Sequence, residues 1–295
     1  MLYYNGGGVL IDILFVCTGN TCRSPMAAAL FAMHCASRGV DATIASAGLS
    51  AWPGAPAEPN AIAAAAEMGA DLTPHLTRQA TPALLEQADF VVCLAVGHAR
   101  QAARFVPDGK IHVLAGGIAD PFGGSPETYR ACARQIDGAL PALLPDFLCK
   151  ASIVPTQEAH LPALAELERL AFSPPASEAK LRERLGIEHF HSLTATLDEC
   201  IAGFLGVDEI AGEAFVDDLA VFPQYRRQGV ASALLARAET GAILRGCGKI
   251  HLECRESNTA ALKLYESRGY KRVGRRKGFY ENPKEDAILM TMEIV

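Results

Sequence analysis

The sequence predicts two consecutive α/β domains, the first built on a doubly wound parallel sheet and the second on a mixed sheet. Three observations carry this. Short apolar, β-branched runs alternate with helix-like stretches through the first half, as in sheets buried on both faces. The composition changes near residue 149, where Pro141, Pro145 and Pro155 bracket a junction. The chain has 295 residues, and domains of about 100–200 residues allow one or two.

In the first half, 1–8 ends in three glycines and reads as a loose tail, and 9–16 reads as a buried strand. Ser24-Pro25 opens a helix over 26–37 that stops at Gly39, with proline at the start and glycine past the end. Strands follow at 42–47, 89–95 and 110–114, and helices at 57–68 and 127–144. In the second half, a strand at 152–154 and a helix at 158–171 precede the loop Ser173-Pro174-Pro175-Ala176. Strands at 201–207, 213–221, 250–255 and 288–295 and helices at 227–244 and 260–268 complete it. The expected domains are 1–148 and 151–295, with a short linker between them.

Half the residues are hydrophobic and 20% are charged, ordinary for a chain with a real core. A formal net charge of −6 excludes a general nucleic-acid binder, so no direct nucleic-acid partner is expected. No run is long and apolar enough to span a membrane, and Asp12 interrupts the only apolar stretch near the start. Nine cysteines, an odd number without disulfide-framework spacing, point to the reducing cytoplasm and to free thiols.

The thiol that stands out is Cys17, in Cys17-Thr18-Gly19-Asn20-Thr21-Cys22-Arg23-Ser24-Pro25, between a strand and a helix. A helix start presents free N–H groups and about half a positive charge, so a loop there can cradle a phosphate dianion. Gly19 is expected to supply a positive φ, and Arg23 to clamp two phosphate oxygens. The same field favours a thiolate at Cys17, to which Ser24 and Ser46 can donate. Cys17 and Cys22 could instead ligate a metal, but no second close pair completes four ligands, and no metal is expected.

This segment resembles the signature Cys-x-Gly-Asn-x-Cys-Arg-Ser-Pro of the low-molecular-weight phosphotyrosine phosphatases. The resemblance runs from about residue 11 to 144 and includes Ser46-Ala47-Gly48, the stretch 75–79 and Asp120-Pro121-Phe122. It implies a flavodoxin-like domain that acts on phosphorylated proteins through a phosphocysteine, without a cofactor. Cys17 is then the nucleophile, Asp120 the acid and later the base, and Arg23 the clamp. Thr18, Gly19, Asn20, Thr21, Cys22 and Ser24 complete the phosphate loop. Cys22 is expected near Cys17, where a reversible disulfide would protect Cys17 from over-oxidation. Thr21, with Asp120-Pro121-Phe122-Gly123-Gly124-Ser125, resembles the protein-arginine phosphatase branch; a small hydroxyl-bearing side chain leaves room for a guanidinium. Trp52 favours phosphotyrosine, since it could line an aromatic cleft with Phe122. A thioredoxin-coupled arsenate reductase is disfavoured, because Cys93 has no partner cysteine in the next ten residues.

The second half carries Arg226-Arg227-Gln228-Gly229-Val230-Ala231 after an apolar strand end, a second anion-site pattern. Alone, it is also what a plain helix start looks like. With Glu253 on a strand, Asn258, and Tyr265-Glu266-Ser267-Arg268-Gly269-Tyr270 it resembles the Gcn5-related N-acetyltransferases (GNAT), from about 153 to 295. It is most similar to those that acetylate the N-terminal alanine of a ribosomal small-subunit protein. The resemblance implies direct transfer from acetyl-CoA to a protein N-terminus. Glu253 is then the base and Tyr265 the acid, while the backbone of Leu219, Ala220 and Val221 holds the pantetheine arm. Arg227, Gln228, Gly229, Val230, Ala231 and Ser232 surround the diphosphate, and Asn258 contacts the cosubstrate. The stretch 158–197 is expected to recognise the acceptor. The basic run Arg268, Lys271, Arg272, Arg275, Arg276 and Lys277 reads as a solvated loop or as a contact for CoA phosphates or a ribosomal surface. The rival reading makes one domain a binding module that places the other.

Overall fold

The structure, a computed structural model, describes residues 11–294. The tail reading of 1–8 and residue 295 lie outside the described residues. The chain divides into two compact units, the first ending at Pro141 and the second beginning at Ala142.

In the first unit the apolar runs become β1 (Ile11–Cys17), β2 (Ala42–Gly48), β3 (Phe90–Cys93) and β4 (Ile111–Val113). The helices are α1 (Arg23–Ala36), α2 (Pro59–Glu67), α3 (Pro82–Gln87), α4 (Val96–Ala102) and α5 (Pro126–Ala139). The sheet is parallel throughout, in the order β2-β1-β3-β4. Right-handed crossovers put α1 on one face and α4 on the other. The strand order reverses at β1, and the crevice beyond its C-terminal end is where open α/β sheets bind ligands. The loop 17–23 occupies that position. Beneath it the core is apolar, with Phe15, Val16, Met26 and Phe31 fully buried.

The second unit opens with α6 (Leu143–Phe147) and continues with β5 (Ser152–Pro155), α7 (Leu161–Ala171), α8 (Glu178–Leu185), β6 (Phe190–Leu197), β7 (Cys200–Ile210) and β8 (Glu213–Val221). Then come α9 (Val230–Arg245), β9 (Lys249–Arg255), α10 (Thr259–Ser267), β10 (Lys271–Glu281) and β11 (Lys284–Glu293). The seven-stranded sheet runs β10-β11-β9-β8-β7-β6-β5. Its pairs are antiparallel except β8 with β9. Alternation along β7 sends Leu205 and Val207 into the cluster under α9 and Phe204 into the cluster under α7 and α8.

The compact units divide at 141/142, ahead of the expected linker at 149–151, because α6 packs on α9 and the Asp146 carboxylate is buried against Arg268. One expectation changes here. The basic run, read as a loop, is largely the edge strand β10, whose charged side chains project to solvent. Arg268 does not share that surface: it is buried at the end of α10.

Candidate active sites

The phosphate loop leaves β1 at Cys17 and enters α1 at Arg23, whose first N–H groups have no intrahelical partner. The expected positive φ falls at Asn20 (59°), not at Gly19. Hydrogen bonds stabilise this left-handed residue. Its Nδ2 donates to Ser24 Oγ and Ser46 Oγ, both at 2.9 Å, and its Oδ1 accepts the Arg78 N–H at 2.9 Å. His75 Nε2 lies 2.8 Å from its carbonyl oxygen. Gly48 closes against the loop so tightly that a Cβ there would stand 2.6 Å from the Thr18 carbonyl oxygen and 2.8 Å from the Asn20 nitrogen.

This framework aims donors at Cys17. Asn20 N–H donates to Sγ at 3.3 Å, and Ser24 Oγ lies 3.0 Å from it. Because Ser24 Oγ already accepts from Asn20, its own proton is free for the sulfur, a nearer acceptor than the Ala47 carbonyl at 3.4 Å. Ser46, expected to donate to the sulfur as well, accepts from the same Asn20 amide. Burial raises the thiols of Cys22, Cys93 and Cys132, which keeps them protonated.

Arg23 is buried at the helix start, donating Nη1 to the Ile118 carbonyl at 3.1 Å and Nη2 to Asp120 Oδ2 at 2.5 Å. Asp120 Oδ1 also accepts the Phe122 N–H at 3.2 Å. Trp52 (86% exposed) and Phe122 (67%) are open to solvent, while the Thr21 hydroxyl lies 3.4 Å from Cys22 Sγ. Sequence reasoning missed His98. Its Nε2 lies 3.0 Å from Thr18 Oγ1, and burial, helped by Arg23, lowers its pKa to about 4, so it is neutral. Only its chain distance from the loop hid it.

In the second unit, β8 pairs with β9 only from Glu213 to Val216, although its pairing with β7 continues to Val221. The strands part beyond Val216, leaving the edge of Leu219, Ala220 and Val221 that faces β9 open to an extended chain. The Val221 carbonyl takes the Arg226 Nε at 3.1 Å. Beyond it, Arg227 (φ 65°) and Gly229 (φ 82°) are left-handed, forming a concave run of amides that leads into α9 at Val230. Such a nest fits a diphosphate. Gln228 turns its amide to the Gln224 carbonyl, and Asn258 Oδ1 caps α10 by accepting the Ala261 N–H at 3.1 Å.

Glu253 stands on β9 with Oε1 2.9 Å from Arg276 Nη1, and its Oε2 is buried without a partner among the described residues. Tyr265 is buried on α10, edge-on to Tyr270, and desolvation raises its phenol above the ordinary range. A cleft of about 250 Å³ is lined by Glu168, the segment 171–176, Lys180 and Arg184, all from the stretch expected to recognise the acceptor, and by Asp218, Arg255 and Tyr280 from outside it. Arg255 is fixed there by the Asn282 and Pro283 carbonyls, by Glu285 and by the Tyr280 ring. Burial raises Glu168 to about 7. Among the described residues no group of three or more histidine, cysteine, aspartate or glutamate side chains is placed to hold a metal.

Comparison with known proteins gives two family matches. The low molecular weight phosphotyrosine protein phosphatase model matches residues 12–153, and the acetyltransferase (GNAT) family model matches 161–270. A protein-arginine-phosphatase of Bacillus subtilis is 37% identical over 141 residues, 44% of this chain and 92% of that protein. A low molecular weight protein-tyrosine-phosphatase of Streptomyces coelicolor is 34% identical over 149 residues, 45% of this chain and 90% of that protein. A [ribosomal protein bS18]-alanine N-acetyltransferase of Escherichia coli is 35% identical over 136 residues, 45% of this chain and 91% of that protein.

Proposed function

Because the chain belongs in its first half to the low molecular weight phosphotyrosine protein phosphatase family and in its second to the GNAT acetyltransferase family, we propose that it is a bifunctional enzyme that removes phosphoryl groups from protein arginine and acetylates a protein N-terminus. The observation that carries the first activity is the buried Cys17 sulfur, with the Asn20 N–H and the Ser24 hydroxyl aimed at it and Arg23 at the same helix start.

Cys17 attacks phosphorus, forming an S–P bond as the P–N bond to the substrate guanidine breaks. Arg23 and the loop amides hold the equatorial oxygens. A bound phosphate competes with Asp120 for Arg23, and the released carboxylate takes up a proton from solvent and passes it to the leaving nitrogen. The same carboxylate then takes a proton from the water that cleaves the S–P bond and returns Cys17 and inorganic phosphate. Phosphoarginine is favoured by the small Thr21 and by a carboxylate at the rim that can pair with the guanidinium. The second reading, phosphotyrosine, rests on the exposed Trp52 and Phe122, surfaces for an aromatic ring.

In the second unit the opening of β8 from β9 beside the Arg227–Gly229 nest supports acetyl-CoA as cosubstrate, which supplies the activated acetyl group. Leu219 to Val221 hold its extended arm, the amides of 227–232 its diphosphate, and the cleft beside Glu168 the acceptor. Glu253 accepts the acceptor's ammonium proton and Tyr265 donates to the departing sulfur.

The test is phosphate release from matched phosphoarginine and phosphotyrosine peptides, with Cys17→Ser as control. Preference for phosphoarginine supports the reading. Preference for phosphotyrosine transfers selectivity to Trp52 and Phe122 and leaves the cysteine mechanism standing.

A further inference from the structure

The segment that follows α5 belongs to the second unit and reaches the residues assigned to the diphosphate cradle. Asp146, on α6, has a side chain only 1% exposed. Its Oδ2 accepts from Arg268 Nη1 at 2.8 Å. Arg268 Nη1 also reaches Ser232 Oγ at 3.3 Å, and its Nε and Nη2 hold Glu239 on α9 at 3.0 and 2.6 Å. Arg268 and Glu239 side chains are each 7% exposed, so all three groups are desolvated, and Arg268 is shared between the two carboxylates. One residue earlier, the Pro145 carbonyl lies so near Gly229 that a Cβ on that glycine would stand 2.3 Å from its oxygen. The Cys149 Cβ would be 3.3 Å from the same point.

Helix α6 therefore meets the start of α9 at two places: its backbone stands against Gly229, and its Asp146 carboxylate shares the Arg268 Nη1 with Ser232. Both residues stand in the loop proposed for the diphosphate. A chain that needed only a linker has no use for a buried carboxylate there. An unpaired charge at this depth is costly, and the three-way pairing fixes one geometry for α6, α9 and the end of α10.

We propose that Asp146 and Pro145 are positioning residues of the acetyl-CoA site: α6 holds the Arg227–Ser232 cradle in the conformation that receives a diphosphate. This rests on the acetyltransferase reading above. Asp146 acts through Ser232 and Arg268 and touches no reacting atom.

The test uses the full chain and two probes, CoA and acetylpantetheine, which has the thioester arm but no diphosphate. Isothermal titration of Asp146→Asn should raise the Kd for CoA at least about fivefold, since small misplacements of a preorganised site are costly. Turnover of acetylpantetheine should change less than about twofold, because the open edge of β8 is untouched. Equal loss with both probes would mean general damage to the unit and would overturn the positioning role, as would an unchanged Kd for CoA. Hydrogen exchange on the unaltered chain covers the case of a variant that fails to fold. CoA should slow the amides of Leu148 and Cys149, which bond to Leu144 and Asp146, together with those of 227–232. Protection of 227–232 alone overturns the proposal. Absence of any CoA binding by the unaltered chain overturns the acetyltransferase reading itself.

Discussion

Arg23 Nη2 and Asp120 Oδ2 lie 2.5 Å apart, so the proposed phosphate clamp and the proposed proton donor of the first unit hold one another. The pair joins the start of α1 to the loop after β4 and places a carboxylate at the mouth of the site. In the proposed mechanism it makes acid catalysis conditional on substrate, because the phosphate must draw Arg23 away before Asp120 can take up the proton it donates.

Asp120→Asn should therefore lower kcat by about 100- to 10,000-fold on a phosphoarginine peptide, whose leaving nitrogen needs the proton. On p-nitrophenyl phosphate, which leaves as a stable anion, the loss should be no more than about tenfold. Steady-state kinetics on the two substrates checks this. Equal losses would assign Asp120 to holding Arg23 rather than to proton transfer.

Asn20→Ala should disturb both stability and activity of the first unit. The change removes bonds to Ser24, Ser46 and Arg78 and leaves a left-handed φ without the side chain that stabilises it. At about 1 kcal/mol for each of the three bonds, the cost is about 3 kcal/mol. Thermal unfolding of the first unit should shift down and phosphate release should fall with it. An unchanged melting temperature would show that the framework contributes little.

Arg276 covers Glu253 at 2.9 Å but is itself half-exposed. Such an ion pair is worth about 0–1 kcal/mol, so an acceptor ammonium displaces it at modest cost. Arg276→Met should lower KM for the acceptor peptide up to about fivefold with kcat little changed. A raised KM would instead make Arg276 part of acceptor binding.

Glu168 gives a pH signature. Its folded pKa of about 7 lies above the ordinary 4.5, because burial disfavours the carboxylate. Its contribution to stability is therefore fully present below pH 4.5 and is lost as pH rises through 7. From pH 5 to 8 the second unit should lose about 3 kcal/mol through this group. Glu168→Gln, which keeps an acceptor for the Ala176 N–H, should flatten that loss. Denaturant unfolding at the two pH values decides it. A parallel decline in both proteins would remove Glu168 as the cause.

The legible parts of this fold were those written locally. Strand, Cys-to-Arg loop and Ser-Pro helix start lie within one short stretch, so Cys17, Arg23 and the parallel sheet could be read from period and spacing. Gly229 could be read for the same reason. What depended on distant partners could not. Asn20 rather than Gly19 takes the left-handed conformation because Ser46 and Arg78 supply its bonds across the sheet. His98 reaches Thr18 from 80 residues away. The basic run reads as a loop by composition, yet pairing with β11 makes most of it an edge strand. Arg268, in sequence one more surface cation, is buried because Asp146 and Glu239 meet it there. The prolines near 141–155 mark a junction but do not tell to which compact unit α6 belongs.

The central claim is that one chain carries two separate active sites, and a crossed pair of variants tests it most directly. Phosphate release and acetyl transfer are measured on the same preparations of wild type, Cys17→Ser and Glu253→Gln. Cys17→Ser should abolish phosphate release and leave acetyl transfer at the wild-type rate, and Glu253→Gln should do the reverse. Loss of both activities from either change, or absence of either activity in the wild-type chain, would contradict the account.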